Sequence, residues 1–249
     1  MSRRVPAWRP LLGALAAAQV AYGRHGRGGR EPPPAATRAV VGLMLATSAA
    51  EAGAARRARR RLALLGAAGA VGFGAEVAGV ATGRPFGAYR YSDRLGPRVR
   101  GVPLLAAAAW ALLARPAWVV AGLLARRRRV PRVALAAGAL TAWDVFLDPR
   151  MVREGYWTWP GGGRYEGVPA SNFAGWLVTA AAVFCVFALA DGDDEPARDG
   201  DGALALYVWT WAGETFANAA LWRRPRVAAA GGLAMGAFAV PALLARRRR

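Results

Sequence analysis

Three acidic residues stand in apolar surroundings with aromatic residues close behind them: Glu76 in "GFGAEVAGVATG", and Asp144 and Asp148 in "TAWDVFLDPRM". Two carboxyl groups that share an apolar cavity cannot both ionise easily, because desolvation and mutual repulsion oppose the second charge. One keeps its proton as a neutral acid while its partner remains an anion, which is general acid and base equipment that needs no metal. The rings of Tyr89, Tyr91, Trp157 and Trp159 that follow the acids offer electron-rich faces to a developing carbocation. Together with Tyr156 they also suit a belt at a membrane interface, and the two roles can fall to different rings.

The spacing of these residues repeats. Glu76 is followed eleven residues later by Gly87, then Tyr89 and Tyr91, and Asp144 is followed eleven residues later by Gly155, then Trp157 and Trp159. Each stretch then reaches a Gly-Val-Pro, at 101–103 and 167–169, and each proline precedes a tryptophan, Trp110 or Trp176, by seven residues. Both units read helix, aromatic loop, Gly-Val-Pro, helix, over about 62–125 and 130–190. They start from the same side, as in the parallel repeats of membrane folds. Pro103 and Pro169 suit the first turn of the returning helices, where a missing N–H costs little.

The elements that must position these groups are membrane helices. The chain has 249 residues, is 55% hydrophobic and carries a formal charge of +19, a combination foreign to soluble domains. Its arginines cluster at the ends of apolar segments (Arg56 to Arg61, Arg126 to Arg129, Arg246 to Arg249), as headgroup anchors and topology signals do, so no nucleic-acid partner is expected. Helices are predicted near 8–22, 38–55, 62–82, 102–125, 130–147, 172–190, 203–221 and 226–245, from apolar runs near the roughly 20 residues that cross a bilayer. The fold class is therefore an all-α polytopic bundle of about seven to eight spans, forming one membrane domain over 1–249.

The loops 83–101 and 148–169 share one face in this scheme, and the Arg-only turns lie on the other, cytoplasmic one. Arg223 to Arg226 then fall across the membrane from the basic C-terminus, which raises the alternative of a miscounted or re-entrant span. Asp148 precedes Pro149, which disfavours helix continuation there. The start of the chain has features of a signal peptide, but further spans favour an uncleaved first helix.

The remaining polar residues carry less. Cys185 is a lone cysteine and His25 a lone histidine, so no disulfide framework or metal site is expected. The stretch "DGDDEPARDGDG" at 191–202 lacks the spacing and closing glutamate of a calcium loop and reads as a solvated linker. A buried acid costs about 2.5–3.5 kcal/mol on insertion scales, so it pairs or functions. Glu51 is expected to reach the Arg56–Arg61 cluster, and Glu214, beside tryptophans, Thr215 and Asn218, is equally compatible with a structural and a ligand-binding role.

"PFGAYRYSDRLGP" followed by "GVP", then "AWDVFLDPRM", "GYWTW" and "GGGRYEGVPASNFAGW" together resemble the carotenoid biosynthesis membrane family that includes CruF-type carotenoid hydratases and archaeal bisanhydrobacterioruberin hydratases. The resemblance covers about residues 70–180, and Glu166 departs from the apolar or aromatic residue expected there. It implies addition of water to the terminal isopropylidene double bond of an acyclic carotenoid such as lycopene, gamma-carotene or a C50 relative, without a cofactor. Asp144 or Glu76 would be the acid, and the other, or Asp148, would orient the water. Tyr89, Tyr91, Trp157, Trp159, Asn172 and Glu214 would bind the substrate end. The implied location is the bacterial plasma membrane, with lipids, the carotenoid and other carotenoid enzymes, a glycosyltransferase among them, as partners. Alternatives of other classes are a proton-coupled transporter and a non-catalytic scaffold of a carotenoid-synthesis complex.

Overall fold

The computed structural model describes residues 5–27, 30–125, 128–191 and 200–248. Helices α1 (Trp8–His25), α2 (Pro34–Ala54) and α3 (Ala58–Thr82) lead to a loop, and α4 (Leu104–Leu112) and α5 (Ala114–Ala125) then form one rod interrupted at Leu113. Next come α6 (Arg129–Arg153), a second loop, α7 (Ala170–Asp191), α8 (Asp201–Phe216) with a π turn over Ala217–Leu221, and α9 (Pro225–Arg247). Among the described residues α3, α4–α5, α6, α7 and α9 are long and apolar enough to cross a membrane. Counting α4–α5 once, the described residues form eight rods. Arg223–Arg226 lie at the same end as the two long loops, beside Trp222 and Arg150. Residues 192–199, 126–127 and 249 lie outside the described residues, so the linker reading and parts of two arginine clusters do too.

Alanine and leucine favour helix, and glycines let the rods approach, as small residues do where lipid removes the hydrophobic drive to associate. At Gly72 on α3 a Cβ would lie 2.0 Å from Cγ of Trp110 on α4; at Gly231 on α9 it would lie 2.5 Å from Phe146 on α6. The central rod α4–α5 is the most buried, with Trp110, Leu112, Leu113, Trp118 and Val120 at 2% exposure or less.

One expectation is extended and one corrected. Glu51 on α2 has Arg61 of the Arg56–Arg61 cluster within electrostatic reach, as expected, and it also pairs with Arg115 on α5, both buried, because α5 passes beside it inside the bundle and offers a bidentate guanidinium. Helix α6 does not stop before Pro149 but runs to Arg153 with the proline inside. A proline there removes the bond from its own nitrogen to the carbonyl four residues back, which is Val145, and the Tyr165 hydroxyl donates to that carbonyl at 3.0 Å. The second loop thus supplies the donor that the helix lacks, and Asp144 and Asp148 stay on one face, a turn apart.

Candidate functional site

The two loops close over one end of the bundle and pair with each other. Strand β1 (Arg90–Tyr91) lies antiparallel to β4 (Trp157–Thr158), with Arg90 opposite Thr158 and Tyr91 opposite Trp157. Tyr89 also meets Trp159, ring centroids 5.8 Å apart. If Tyr89 corresponds to Trp157 and Tyr91 to Trp159, each residue pairs with its counterpart's partner, the mark of a two-fold contact. The backbone agrees: Arg100 and Gly101 have φ of 51° and 81°, and Glu166 and Gly167 have 52° and 85°. Val102 pairs back to Val99 (β3, Val102–Pro103, on β2, Arg98–Val99), and Val168 to Tyr165. Trp110 and Trp176 stack on each other with centroids 4.1 Å apart and planes 20° apart.

Beneath this lid the first carboxyl, Glu76, is 6% exposed. It accepts from Tyr91 Oη at 2.9 Å, from Trp110 Nε1 at 3.1 Å, and from the Tyr89 hydroxyl. Burial and the Glu76 carboxyl push the Tyr89 phenol up, so it stays protonated and donates. Three donors thus occupy three of the acceptor positions of this carboxyl.

The second carboxyl centre is a pair. Asp144 and Asp148 are 0% and 2% exposed, and the Asn172 amide nitrogen donates to Asp144 Oδ2 at 2.8 Å and also to Asp148. Trp157 Nε1 donates to Asp148 Oδ1 at 3.1 Å. Asn172 thus bridges the two aspartates, which stand one turn apart on α6. Tyr91, on Glu76, and Trp157, on Asp148, are the cross-strand partners, ring centroids 5.6 Å apart.

Glu76, Asp148 and Asn172 face a common cavity of about 480 Å³ walled by Trp110, Trp143 and Trp176. Asp144 does not line it: the residue stands behind Asp148, and its Oδ1 is sealed without a partner. The far wall is ionic. Arg150 Nη1 pairs with Glu214 Oε1 at 2.7 Å, and Tyr22 donates to Glu154 and contacts Thr37, which lies 2.7 Å from Tyr156 Oη. Burial raises the Glu154 carboxyl and the Arg150 guanidinium pulls it back.

The sequence matches the family model described as "Carotenoid biosynthesis protein" over residues 37–238. The chain belongs to the carotenoid biosynthesis protein family. It is also similar to the bisanhydrobacterioruberin hydratase of Haloarcula japonica, 34% identical over 119 residues, 46% of this chain and 40% of that protein. The chain thus covers less than half the length of this curated relative. No solved structure matches it.

In this member of the family, Glu76, Asp148, Tyr89, Tyr91, Trp157, Trp159, Asn172 and Glu214 line one cavity. Glu214 sits on the ionic wall, held by Arg150. Of the aromatic rings weighed as an interfacial belt, Tyr89, Tyr156 and Trp159 are buried. Sequence reasoning missed Arg150, Tyr22, Thr37 and Glu154, which touch the acids neither in sequence spacing nor in the repeat. It also missed Trp110 as a donor, although the Gly-Val-Pro spacing had already marked that residue.

Proposed function

We propose that this protein hydrates the terminal isopropylidene double bond of an acyclic carotenoid. The observation that carries the reading is the Asn172-bridged aspartate pair, which presents Asp148 to an aromatic cavity that a carboxyl ringed by three donors also lines. Asp148, the cavity-facing member of the pair, gives its proton to the less substituted alkene carbon, and the π electrons form the new C–H bond. The positive charge falls on the more substituted carbon, where the aromatic faces and the Glu76 carboxylate stabilise it. A carboxylate has about four acceptor positions; three on Glu76 are taken, and the remaining one holds the water. Its oxygen bonds to the cation, Glu76 takes the released proton, and return of that proton to the aspartate pair closes the cycle. Asp144 acts through Asp148 as a positioning residue. The family membership and the similarity to a hydratase favour this reading, with the bacterial plasma membrane as its setting. The tertiary alcohol formed is the group a glycosyltransferase would take.

The test is expression in a lycopene-producing host with pigment mass analysis. Gain of one water is expected from the wild type, with Asp148→Asn and Glu76→Gln each lowering it at least a hundredfold, within the usual range for general acid–base groups. No hydrated product from lycopene or gamma-carotene, in membranes that contain the protein, would refute the reading.

A further inference from the structure

The cavity is too small for the substrate proposed above, and the inference rests on that reading. A volume of about 480 Å³ suits a drug-sized ligand, whereas an acyclic carotenoid of roughly forty carbons is a stiff rod about as long as the hydrocarbon core is thick, around 30 Å. A conjugated chain does not coil, so only its end group fits at the acids and the remainder must leave through the wall.

One seam of the bundle has the form of such an exit. Helix α1 meets α8 through Trp8 on Gly202 at the far end of the seam and, nearer the loops, at two further contacts: Trp209 Nε1 donates to Gln19 Oε1 at 2.6 Å, and Gly23 and Gly26 pack against Leu221 and Trp222. A Cβ at either glycine would lie 2.7 Å from those side chains, so the second contact is tight. Between the two contacts, Val20 on α1 and Phe216, Ala217 and Ala220 on the other side line the cavity. Val20 and Phe216 are at the same time 45% and 62% exposed. Residues that both line a cavity and face the outside of a membrane bundle mark an opening toward lipid. The π turn widens the helix at this point, as Trp222 N reaches Ala217 O at 2.9 Å, and such bulges gather at functional sites. Alanines there leave the rim low.

We propose that the gap between α1 and the π turn of α8 is a lateral portal through which the carotenoid end group enters from the bilayer, with the polyene rod remaining in the gap and the lipid beyond. The stretch of Val20, Phe216, Ala217 and Ala220 is apolar and fits a hydrocarbon, while Arg24 and Arg27, which also line the cavity, stand at its loop end; the Arg150–Glu214 pair stands just inside, where it holds α6 to α8 behind the opening.

The experiment places tryptophan on the rim, as Ala220→Trp and Val20→Trp, with Leu233→Trp on the exposed face of α9, away from the cavity, as the control. Each is purified from a lycopene-producing host, and the lycopene retained per protein and the hydrated fraction are measured. The portal predicts at least a tenfold loss of retained pigment in both rim variants, with the control at the wild-type level and all three eluting as the wild type does on size exclusion. Rim variants that retain pigment like the wild type overturn it, as does a wild type that retains no long-chain carotenoid. If a rim variant misfolds, photo-crosslinking from a benzophenone side chain at Phe216 replaces it: a carotenoid adduct supports the portal and adducts with lipid alone overturn it. A wild type that binds lycopene in this rim-dependent way but hydrates none of it refutes the hydratase reading while the portal stands.

Discussion

Replacing Tyr165 by phenylalanine isolates the means by which α6 carries a proline through its last two turns. The substitution removes one hydroxyl, the donor 3.0 Å from the Val145 carbonyl, and leaves the ring against Phe173, centroids 5.8 Å apart. An unpaired buried acceptor costs about 1–3 kcal/mol. Val145 and Tyr165 are only half-buried, which places the cost near the lower end, about 1–2 kcal/mol. At roughly 2–4 °C per kcal/mol for a chain of this size, the unfolding midpoint in detergent should fall by about 2–8 °C by circular dichroism. Pro149→Ala restores a backbone N–H facing the same carbonyl. In that background the phenylalanine should cost much less, a coupling of about 1 kcal/mol between the two positions. If Tyr165→Phe lowers the midpoint equally with proline or alanine at 149, the hydroxyl is not replacing the missing donor and the account of α6 fails.

Asn172→Leu leaves both aspartates without their shared donor and should lower the midpoint by about 10 °C, from about 2–6 kcal/mol for two unsatisfied buried acceptors, and abolish hydration; wild-type turnover would remove Asn172 from the site. Gly72→Ala drives a methyl into Trp110 and should cost about 1–3 kcal/mol by overpacking, read in the same melt. Arg115→Met removes the bidentate partner of Glu51 and leaves it the charge of Arg61, so the cost should fall at or below about 3 kcal/mol, the low end for a broken buried pair, whereas Arg115→Met with Glu51→Leu should recover most of it; an equal loss in the double variant would show that the pair is not the cause.

The helix pattern was legible in the sequence because spanning length and arginine punctuation are strong local signals. The predicted rods lie within a few residues of those observed except at Pro149, where the rule that a residue before proline leaves the helix yielded to a tertiary hydrogen bond from Tyr165. The acids were legible as charges in apolar runs. Their division of labour was not, since Asp144 and Asp148 differ in which of them reaches the cavity, and that depends on how α6 turns against α7. Glu51 was assigned to the nearest arginines along the chain, of which Arg61 does act on it, but the bidentate partner, Arg115, comes from α5 and leaves no local trace. The pairing of β1 with β4 left only the trace of alternate aromatics, because strands of two residues carry no periodicity of their own.

The two-fold arrangement of the loops is not matched by the residues beneath it. One turn beyond Glu76 stands Val80, where the second unit has Asp148, and three residues past Pro103 stands Ala106, where it has Asn172. A symmetric frame thus holds a single carboxyl on one side of its axis and an Asn172-bridged pair on the other, which gives direction to whatever lies across it. On the proposed chemistry, hydrogen and hydroxyl would reach an alkene spanning the axis from opposite faces, an anti addition. Turnover in deuterium oxide of a substrate with one of its two terminal methyl groups labelled would then yield one stereoisomer, and a mixture would mean that the cation turns before the water reaches it.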